Sequence, residues 1–383
     1  MRTVLDARWI FAETSGIGSY TRELIRALGE LRADDEFTLL FDDAARADRV
    51  KRECALDAAP RFRVQTVPWR IFTPGNQLWL PRTLRALRAD VFHSPNWMIP
   101  YRAFPRRGRR ITCVVTIHDL IPVLFPQFTP RAWKTRLGPL FRALIRQTVR
   151  CADAVIVPSQ ATRRDVVRTF GLTDERAARI SVVPEAADPR FRPSPRPPEA
   201  RAILFVGRRD PYKNLPLLIE AFALIRPEFP DVRLRVVGPP DPRYPEAEAL
   251  AAARGVAEAV EWVGYASFER LVEAYQTASV FAMPSRYEGF GLPALEAMAC
   301  GTPVVCSDAA SLPEVVGDAA VRVPPDDAAA LASALRRVLA EPAFAAELRA
   351  RGLERAAGFS WRRAAEATLD LYRRAAESHA RRG

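Results

Sequence analysis

The sequence predicts an α/β protein made of two doubly wound, Rossmann-like domains that face each other across a cleft. Its 383 residues are more than one hydrophobic core ordinarily serves, so we expect two domains. Short β-rich runs alternate with amphipathic helical stretches, which is the pattern of parallel sheets covered by helices. A proline cluster without periodicity interrupts this alternation near the middle of the chain and indicates a stiff linker.

The proline cluster sets the expected domain limits. Four prolines occur there within six residues, and neither a helical nor a strand periodicity runs through them. We therefore place a first domain at residues 1–186, a linker at 187–200 and a second domain at 201–358. The last segment, 359–383, has the pattern of a helix.

Thirteen strands are predicted from short apolar runs. In the first half they lie at residues 3–6, 37–41, 63–67, 91–93, 112–117, 154–158 and 180–184. In the second half they lie at residues 203–207, 233–238, 260–264, 280–284, 304–307 and 320–323. Doubly wound domains bind ligands at the carboxyl ends of their strands, so residues directly after these runs are the site candidates.

Composition excludes several classes of protein. Apolar residues make up 49% of the chain, yet no stretch approaches the ~20 apolar residues of a membrane-spanning helix. Residues Met1–Asp6 have the pattern of a strand rather than a signal peptide. Five scattered cysteines argue for a reduced, cytoplasmic compartment. The three histidines cannot complete a zinc site with such cysteines, so we expect neither a metal nor a cofactor.

The segment Pro284–Pro303 carries the most informative pattern. It follows an apolar strand and contains Gly289 and Gly291 just before a helix that Pro293 can start. Gly301 is placed to end that helix. The free amides at the start of such a helix, together with its dipole, favour a bound anion. We expect the amides from Gly289 through Phe290 to Leu292 to hold a diphosphate.

Two carboxylates bracket this anion site. Glu288 precedes the turn and Glu296 lies about one helical turn into the helix. A carboxylate beside a phosphate is unfavourable unless it binds hydroxyl groups, and a nucleotide-sugar supplies hydroxyls on both sides of its diphosphate. One glutamate would bind the ribose and the other the sugar. The alternative is an ordinary crossover helix with two surface glutamates.

The whole string resembles the two-glutamate motif of the retaining GT-B glycosyltransferases of family 4. Gly-Phe-Gly-Leu-Pro lies between the acids, and Ala-Cys-Gly-Thr-Pro-Val-Val follows them. The resemblance implies that Glu288 holds the transferring sugar and Glu296 the ribose, and that residues 359–383 cross back onto the first domain. The metal-dependent glycosyltransferase architecture uses an Asp-x-Asp motif, and its absence here points to metal-free chemistry.

Two cations follow the strand at 203–207. Arg208 and Lys213 are similar to the family's phosphate-binding pair, and fixed cations at a strand end can stabilise a diphosphate as a leaving group. Arg209 is an additional cation, and the register favours Arg208. The alternative is a solvated basic loop.

A glycine pair follows the first strand. Gly16 and Gly18 open an amphipathic helix, but Thr21 stands where a dinucleotide fingerprint needs its third glycine. The pair resembles the glycine loop of the family's first domain, which lies beside the donor phosphate and the acceptor. The alternative is a simple helix start.

An imidazole and a carboxylate, His118 and Asp119, end the strand at 112–117. In the family, a histidine at the matching place lies near the donor sugar and the acceptor, so the resemblance makes His118 a catalytic candidate. The alternative is a histidine satisfied locally by Asp119. His93 is similarly placed after another strand and is a weaker candidate.

Positive charge is concentrated in one segment. Residues 102–168 hold 14 Arg and Lys against three acids, a net charge of +11 in a chain of +12. Apolar residues there recur at helical spacing: Trp133, Leu137, Phe141, Leu144 and Val149. Arginines recur every four residues: Arg142, Arg146 and Arg150. Such a helix can lie on an anionic membrane surface or be a packed helix with a solvated basic face. No motif supports nucleic acid as a partner.

The combined prediction is a retaining glycosyltransferase that uses a nucleotide-sugar donor. Residues 93–97 and 116–122 look most like those of mannosyl- and rhamnosyltransferases of bacterial surface polysaccharides, which favours GDP-mannose as the donor. The expected acceptor is a saccharide, free or lipid-linked, and the expected location is the cytoplasm or the inner membrane face. The alternatives are a nucleotide-sugar epimerase of related architecture and a non-catalytic basic scaffold that binds membranes.

Overall fold

The structure, a computed structural model, describes residues 1–11, 16–105, 110–128, 138–194 and 201–381. By its contacts the chain divides into two compact units. The first comprises Met1–Leu120, Leu137–Glu185 and Ser360–Gly383, and the second comprises Ile121–Arg136 and Ala186–Phe359. The sequence-based limits of 1–186 and 201–358 stay predictions, and most of the proline cluster lies outside the described residues.

The described residues form thirteen strands and sixteen α-helices. The strands are β1 Arg2–Asp6, β2 Glu36–Phe41, β3 Phe62–Thr66, β4 Val91–Ser94, β5 Thr112–Thr116, β6 Ala154–Val157, β7 Ile180–Val182, β8 Ala202–Val206, β9 Arg233–Val237, β10 Val260–Gly264, β11 Val280–Met283, β12 Val304–Ser307 and β13 Ala320–Val323. The helices are α1 Gly16–Glu30, α2 Ala44–Glu53, α3 Pro74–Leu78, α4 Leu80–Ala86, α5 Ile121–Leu124, α6 Gly138–Cys151, α7 Gln160–Phe170, α8 Asp174–Ala177, α9 Leu215–Ile225, α10 Glu246–Ala253, α11 Phe268–Thr277, α12 Leu292–Ala299, α13 Leu312–Val316, α14 Ala328–Ala340, α15 Pro342–Ala357 and α16 Trp361–Ala380.

All thirteen predicted strands are present, and their ends differ from the prediction by at most two residues. The prediction extended three strands through Pro158, Pro184 and Pro284, where the structure ends them earlier. Proline has no amide hydrogen to donate to a neighbouring strand, which explains these differences. The predicted fold class, α/β with two parallel sheets, is confirmed.

Each unit contains one sheet in which all strand pairs are parallel. Within the described residues, the first sheet has the order β3-β2-β1-β4-β5-β6-β7 and the second the order β10-β9-β8-β11-β12-β13. The strand order reverses between β1 and β4 in the first sheet, and between β8 and β11 in the second. Ligands of doubly wound sheets bind at the carboxyl ends of the strands at such a reversal.

The core of the second unit lies on both faces of its sheet. Leu218 and Phe222 of α9 and Leu335 of α14 are buried in one apolar cluster. Leu295 and Met298 of α12 are buried in another, which also contains residues of α11 and α13. Helices on both faces explain why the central strands have continuous apolar runs rather than alternating ones.

The helix α16 packs against α1 in the first unit. Its Tyr372 hydroxyl lies 2.6 Å from His93 Nδ1, and its Arg373 donates to Asp35 at 2.7 Å. Its His379 lies 3.4 Å from Asp153. These contacts position α16 within the first unit.

The helix α6 has the mixed composition that the sequence analysis noted. Its arginines Arg142, Arg146 and Arg150 are exposed, whereas Ile145 and Val149 are buried. Two of the apolar residues assigned to this helical pattern, at positions 133 and 137, lie outside the described residues. Among the helices that the structure describes, none is both long enough and apolar enough to cross a membrane.

Candidate active site

The glycine turn after β11 presents backbone amides at the start of α12. Gly291 has a φ of +106°, and a Cβ there would lie 2.6 Å from Leu312 Cδ2, so only glycine fits. No side chain caps α12, and the amides of Gly291 and Leu292 donate to no acceptor among the described residues. Unpaired amides at a helix start can bind an anion, and the predicted diphosphate site here stays a prediction.

A buried serine holds this turn in place. Ser311 Oγ lies 2.9 Å from the carbonyl oxygen of Glu288 and 2.8 Å from that of Phe290. The sequence analysis missed Ser311, although it follows the carboxyl end of β12, where site residues of this fold class are expected. Its hydroxyl fixes the backbone on both sides of Gly289.

Lys213 and Glu288 form an ion pair, although 75 residues separate them. Lys213 Nζ donates to Glu288 Oε1 at 2.7 Å, and the two side chains are 12% and 10% exposed. The loops after β8 and β11 are joined further because the Arg286 amide donates to the Tyr212 carbonyl at 2.8 Å. An ammonium group has three donors, so Lys213 retains donors beyond the one that it gives to Glu288.

The two adjacent arginines after β8 have different environments. The side chain of Arg208 is 59% exposed, and its Nε lies 3.1 Å from Asp210 Oδ2. Arg209 is 4% exposed, pairs with Glu248, and places its guanidinium 4.5 Å from the ring centroid of Trp262. Arg208 is therefore the cation presented to solvent beside Lys213, which agrees with the choice made from register.

The carboxyl group of Asp210 is nearly buried behind Arg208. Burial raises the pKa of Asp210, and the charges of Arg208 and Lys213 act in the opposite direction. The ion pair places the Asp210 carboxylate beside Nε of Arg208, so the terminal nitrogens of this guanidinium stay available to other acceptors.

The second glutamate of the motif is half-buried and has a buried partner. Tyr275 OH donates to Glu296 Oε2 at 2.8 Å. The sequence analysis missed Tyr275 because it lies on α11, 21 residues before Glu296, and no local spacing connects the two.

In the first unit, the predicted glycine pair starts α1. Both glycines lie in the first turn of this helix. Gly16 is exposed and Gly18 is buried. Residues 12–15, which precede the pair, lie outside the described residues. The prediction that this turn adjoins donor phosphate or acceptor stays a prediction.

His118 is held by two acceptors. Its Nδ1 lies 3.0 Å from Glu185 Oε1 and its Nε2 lies 3.0 Å from the Pro95 carbonyl oxygen. Both partners are oxygen acceptors, so the two contacts favour the doubly protonated imidazolium. Burial acts to lower the pKa of His118, but the Glu185 carboxylate and the Pro95 carbonyl outweigh it and the pKa is raised.

The carboxylate that hydrogen-bonds His118 is thus Glu185 and not, as the local alternative supposed, Asp119. The sequence analysis missed Glu185 because 67 residues separate it from His118. With both ring nitrogens donating, His118 has no lone pair with which to accept a proton from a ligand. A catalytic role for His118 beside the donor sugar and the acceptor, which the resemblance implies, stays a prediction.

His93 is buried and bonded on both sides. Its Nδ1 lies 2.6 Å from Tyr372 OH and its Nε2 lies 2.9 Å from Thr116 Oγ1. Burial, with a smaller effect from His118, lowers the pKa of His93 to about 3, so the ring is neutral. His93 connects α16 to the sheet and has no exposed surface.

No metal centre is evident in the part of the chain that the structure describes. There, no three histidine, cysteine, aspartate or glutamate side chains lie in an arrangement that could hold a metal ion.

Comparisons with known proteins agree with this geometry. The family model described as Glycosyltransferase Family 4 matches residues 14–191, and the model described as Glycosyl transferases group 1 matches residues 188–356. The chain is 31% identical to a D-inositol 3-phosphate glycosyltransferase of Saccharomonospora viridis, covering 84% of this chain and 81% of that protein. The chain therefore belongs to the family 4 glycosyltransferases, and it is a glycosyltransferase of GT-B fold.

Other relatives match nearly the whole chain. The O-antigen chain mannosyltransferase B of Escherichia coli is 29% identical, covering 97% of this chain and all of that protein. Among solved structures, a sucrose-phosphate synthase from Thermosynechococcus elongatus has a TM-score of 0.75 at 25% identity, covering 97% of this chain and 98% of that one. Anabaena HepE in complex with UDP-glucose has a TM-score of 0.72 at 17% identity, with 99% of each chain covered.

The contrast between Arg208 and Arg209 yields the first prediction. Arg208→Ala should weaken binding of GDP or UDP by about 1.5–3 kcal/mol, the scale of a hydrogen bond to a charged group. Arg209→Ala, the matched control, should leave nucleotide affinity unchanged and lower the melting temperature, because it removes a packed side chain. Titration calorimetry and thermal unfolding measure the two effects. Equal affinity losses in both variants would contradict the assignment.

Proposed function

We propose that the protein is a retaining, metal-independent glycosyltransferase that transfers mannose from GDP-mannose to a saccharide acceptor, free or lipid-linked, in bacterial surface polysaccharide synthesis. The observation that carries the proposal is the Lys213–Glu288 pair beside the unpaired amides of α12. A cation and helix amides suit a diphosphate, and a carboxylate beside them suits hydroxyl groups of the attached sugar.

Each group has a defined role in this proposal. The amides at the start of α12, with Arg208 and Lys213, bind the diphosphate and stabilise the negative charge that develops as it leaves. Glu288 accepts hydrogen bonds from hydroxyls of the transferring sugar, and Glu296 accepts them from the ribose. Lys213 orients Glu288 through the bond that already joins them.

The chemical step requires little acid or base from the protein. The bond between the anomeric carbon and the diphosphate breaks, and a bond from the same carbon to the acceptor oxygen forms on the same face. The acceptor proton goes to an oxygen of the departing diphosphate. This agrees with a first unit in which His93 and His118 have both ring nitrogens engaged.

Mannose is favoured over other sugars by the full-length match to a protein named as a mannosyltransferase. Other relatives are named as D-inositol 3-phosphate glycosyltransferases, and a solved structure of similar fold holds UDP-glucose. A donor screen with GDP-mannose, UDP-glucose and UDP-N-acetylglucosamine, read as release of free nucleoside diphosphate with and without acceptor, tests the assignment. Turnover of donor to an epimer without any acceptor would favour the epimerase instead.

The second prediction concerns Glu288. Glu288→Ala should lower transfer at least about 100-fold, the scale for losing a group that acts on the transition state. The variant should still bind GDP, because losing the Glu288 carboxylate frees Lys213 and removes a negative charge beside the diphosphate. Glu246→Ala, an exposed glutamate on α10, is the control and should behave like the parent protein. Near-normal transfer by Glu288→Ala would remove Glu288 from the site.

The third prediction is full activity in excess EDTA. Arg208 and Lys213 supply the positive charge that a divalent ion would otherwise place on the diphosphate. Initial rates measured with and without chelator, after dialysis against it, check this. A loss of activity that magnesium or manganese restores would show that the diphosphate needs a metal.

The proposal includes contact with an anionic membrane, because a lipid-linked acceptor would lie at the surface of such a membrane. Besides the exposed arginines of α6, the first unit exposes Phe72, Leu78 and Trp79 at 60%, 45% and 51%. Ring contacts link this exposed group to α6 through Trp97, which lies 6.0 Å from Phe72 and 5.5 Å from Phe141. Residues 58–89 contain six arginines and no acid. Exposed aromatics with arginines are typical of the membrane interface.

The fourth prediction follows from this surface. Changing Arg142, Arg146 and Arg150 to Gln should weaken binding to vesicles of anionic lipid by roughly 3 kcal/mol, at about 1 kcal/mol for each basic residue. Binding should fall steeply with salt, and transfer to a soluble acceptor should be unchanged. The control variant changes Arg254, Arg270 and Arg362 to Gln. These arginines are also exposed, so the control loses the same charge from other parts of the surface. If both triple variants bind vesicles as the parent does, α6 is only a solvated face.

A further inference from the structure

The buried hydroxyl of Tyr275 meets the carboxylate of Glu296 from inside the second unit. Tyr275 has no exposed surface, and its OH donates to Glu296 Oε2 at 2.8 Å. We propose that Tyr275 is a positioning residue that fixes the Glu296 carboxylate for hydrogen bonds from the ribose hydroxyls of the donor. The inference rests on the proposed function, in which Glu296 binds the ribose.

The position of this hydroxyl is set by the core and not by Glu296. The Tyr275 ring lies 5.6 Å from Phe191 and 5.5 Å from Phe281 in edge-to-face contacts. Thr302 Oγ1 donates to the Tyr275 carbonyl at 2.6 Å, which anchors the end of α11 to the segment after α12. A side chain packed in this way keeps one rotamer, so its OH is a fixed reference point for the glutamate.

The electrostatics keep Tyr275 a donor and Glu296 an acceptor. Burial, then the charge of Glu296 and the hydrogen bond to it, raise the pKa of the Tyr275 phenol well above its usual value. The phenol therefore stays protonated at neutral pH. A hydrogen bond from a neutral donor to a carboxylate is stronger than one between neutral groups, so this bond holds the Glu296 carboxylate in one orientation.

An orienting bond matters for ribose recognition because glutamate has a flexible side chain. Ordering a glutamate on binding costs conformational free energy that reduces affinity. A carboxylate that is already ordered binds hydroxyls without that loss. The ribose is remote from the bond that breaks, so its contacts act equally in the ground state and the transition state. Such contacts change KM and leave kcat unaffected.

The test removes only the hydroxyl. Tyr275→Phe should weaken GDP and UDP binding in calorimetry about tenfold, raise the KM for donor equally and leave kcat unchanged. It should also reduce the preference for the ribonucleotides over their 2′-deoxy forms. Tyr372→Phe is the matched control: it removes another buried hydroxyl, 2.6 Å from His93 in the first unit. Its nucleotide affinity should equal that of the parent.

A double variant separates positioning from a structural role. If Tyr275 acts through Glu296, then Tyr275→Phe/Glu296→Ala should bind nucleotide no more weakly than Glu296→Ala alone. Additive losses, or a fall in kcat without a change in KM, would overturn the inference. If Glu296→Ala itself leaves affinity and 2′-deoxy discrimination unchanged, the ribose role of Glu296 in the proposed function fails. If only Tyr275→Phe leaves them unchanged, the inference alone fails.

Discussion

The bond between Lys213 and Glu288 is the constraint on which the second unit's site depends. Lys213 comes from the loop after β8 and Glu288 from the loop after β11, and these strands are neighbours where the strand order reverses. Both side chains are nearly buried, so each charge lowers the cost of burying the other. The pair therefore brings the cation proposed to bind the diphosphate and the carboxylate proposed to bind the sugar to one place, 2.7 Å apart.

The turn between these groups and α12 has a different physical origin. Its shape depends on the positive φ of Gly291 and on Ser311, whose hydroxyl lies against the carbonyls of Glu288 and Phe290. Because Ser311 holds its carbonyl groups, the turn directs its unpaired amides away from the core. The dipole of α12 adds to the positive potential of these amides. A cation, a carboxylate and a row of amides together match the alternation of charge and hydroxyl groups along a nucleotide-sugar.

The histidines of the first unit have structural environments. His93 is neutral and joins α16 to the sheet, and His118 is a cation held by Glu185 and Pro95. Both nitrogens of each ring are engaged by protein partners, an arrangement that does not favour either ring as a general base. A mechanism in which the departing diphosphate takes the acceptor proton needs no such base. The same geometry disfavours an epimerase, which would need titratable groups facing the sugar.

The sequence alone determined the thirteen strands, the two-sheet fold class and the glycine turn before α12, because periodicity, proline and positive-φ glycines are local constraints. It also proposed both glutamates and both cations as site residues, and these assignments stay predictions. Only the tertiary structure decided which groups meet: Lys213 with Glu288, Tyr275 with Glu296, and Glu185 rather than Asp119 with His118. These partners are 21 to 75 residues apart, and their proximity depends on strand order and helix packing, which local sequence patterns do not encode.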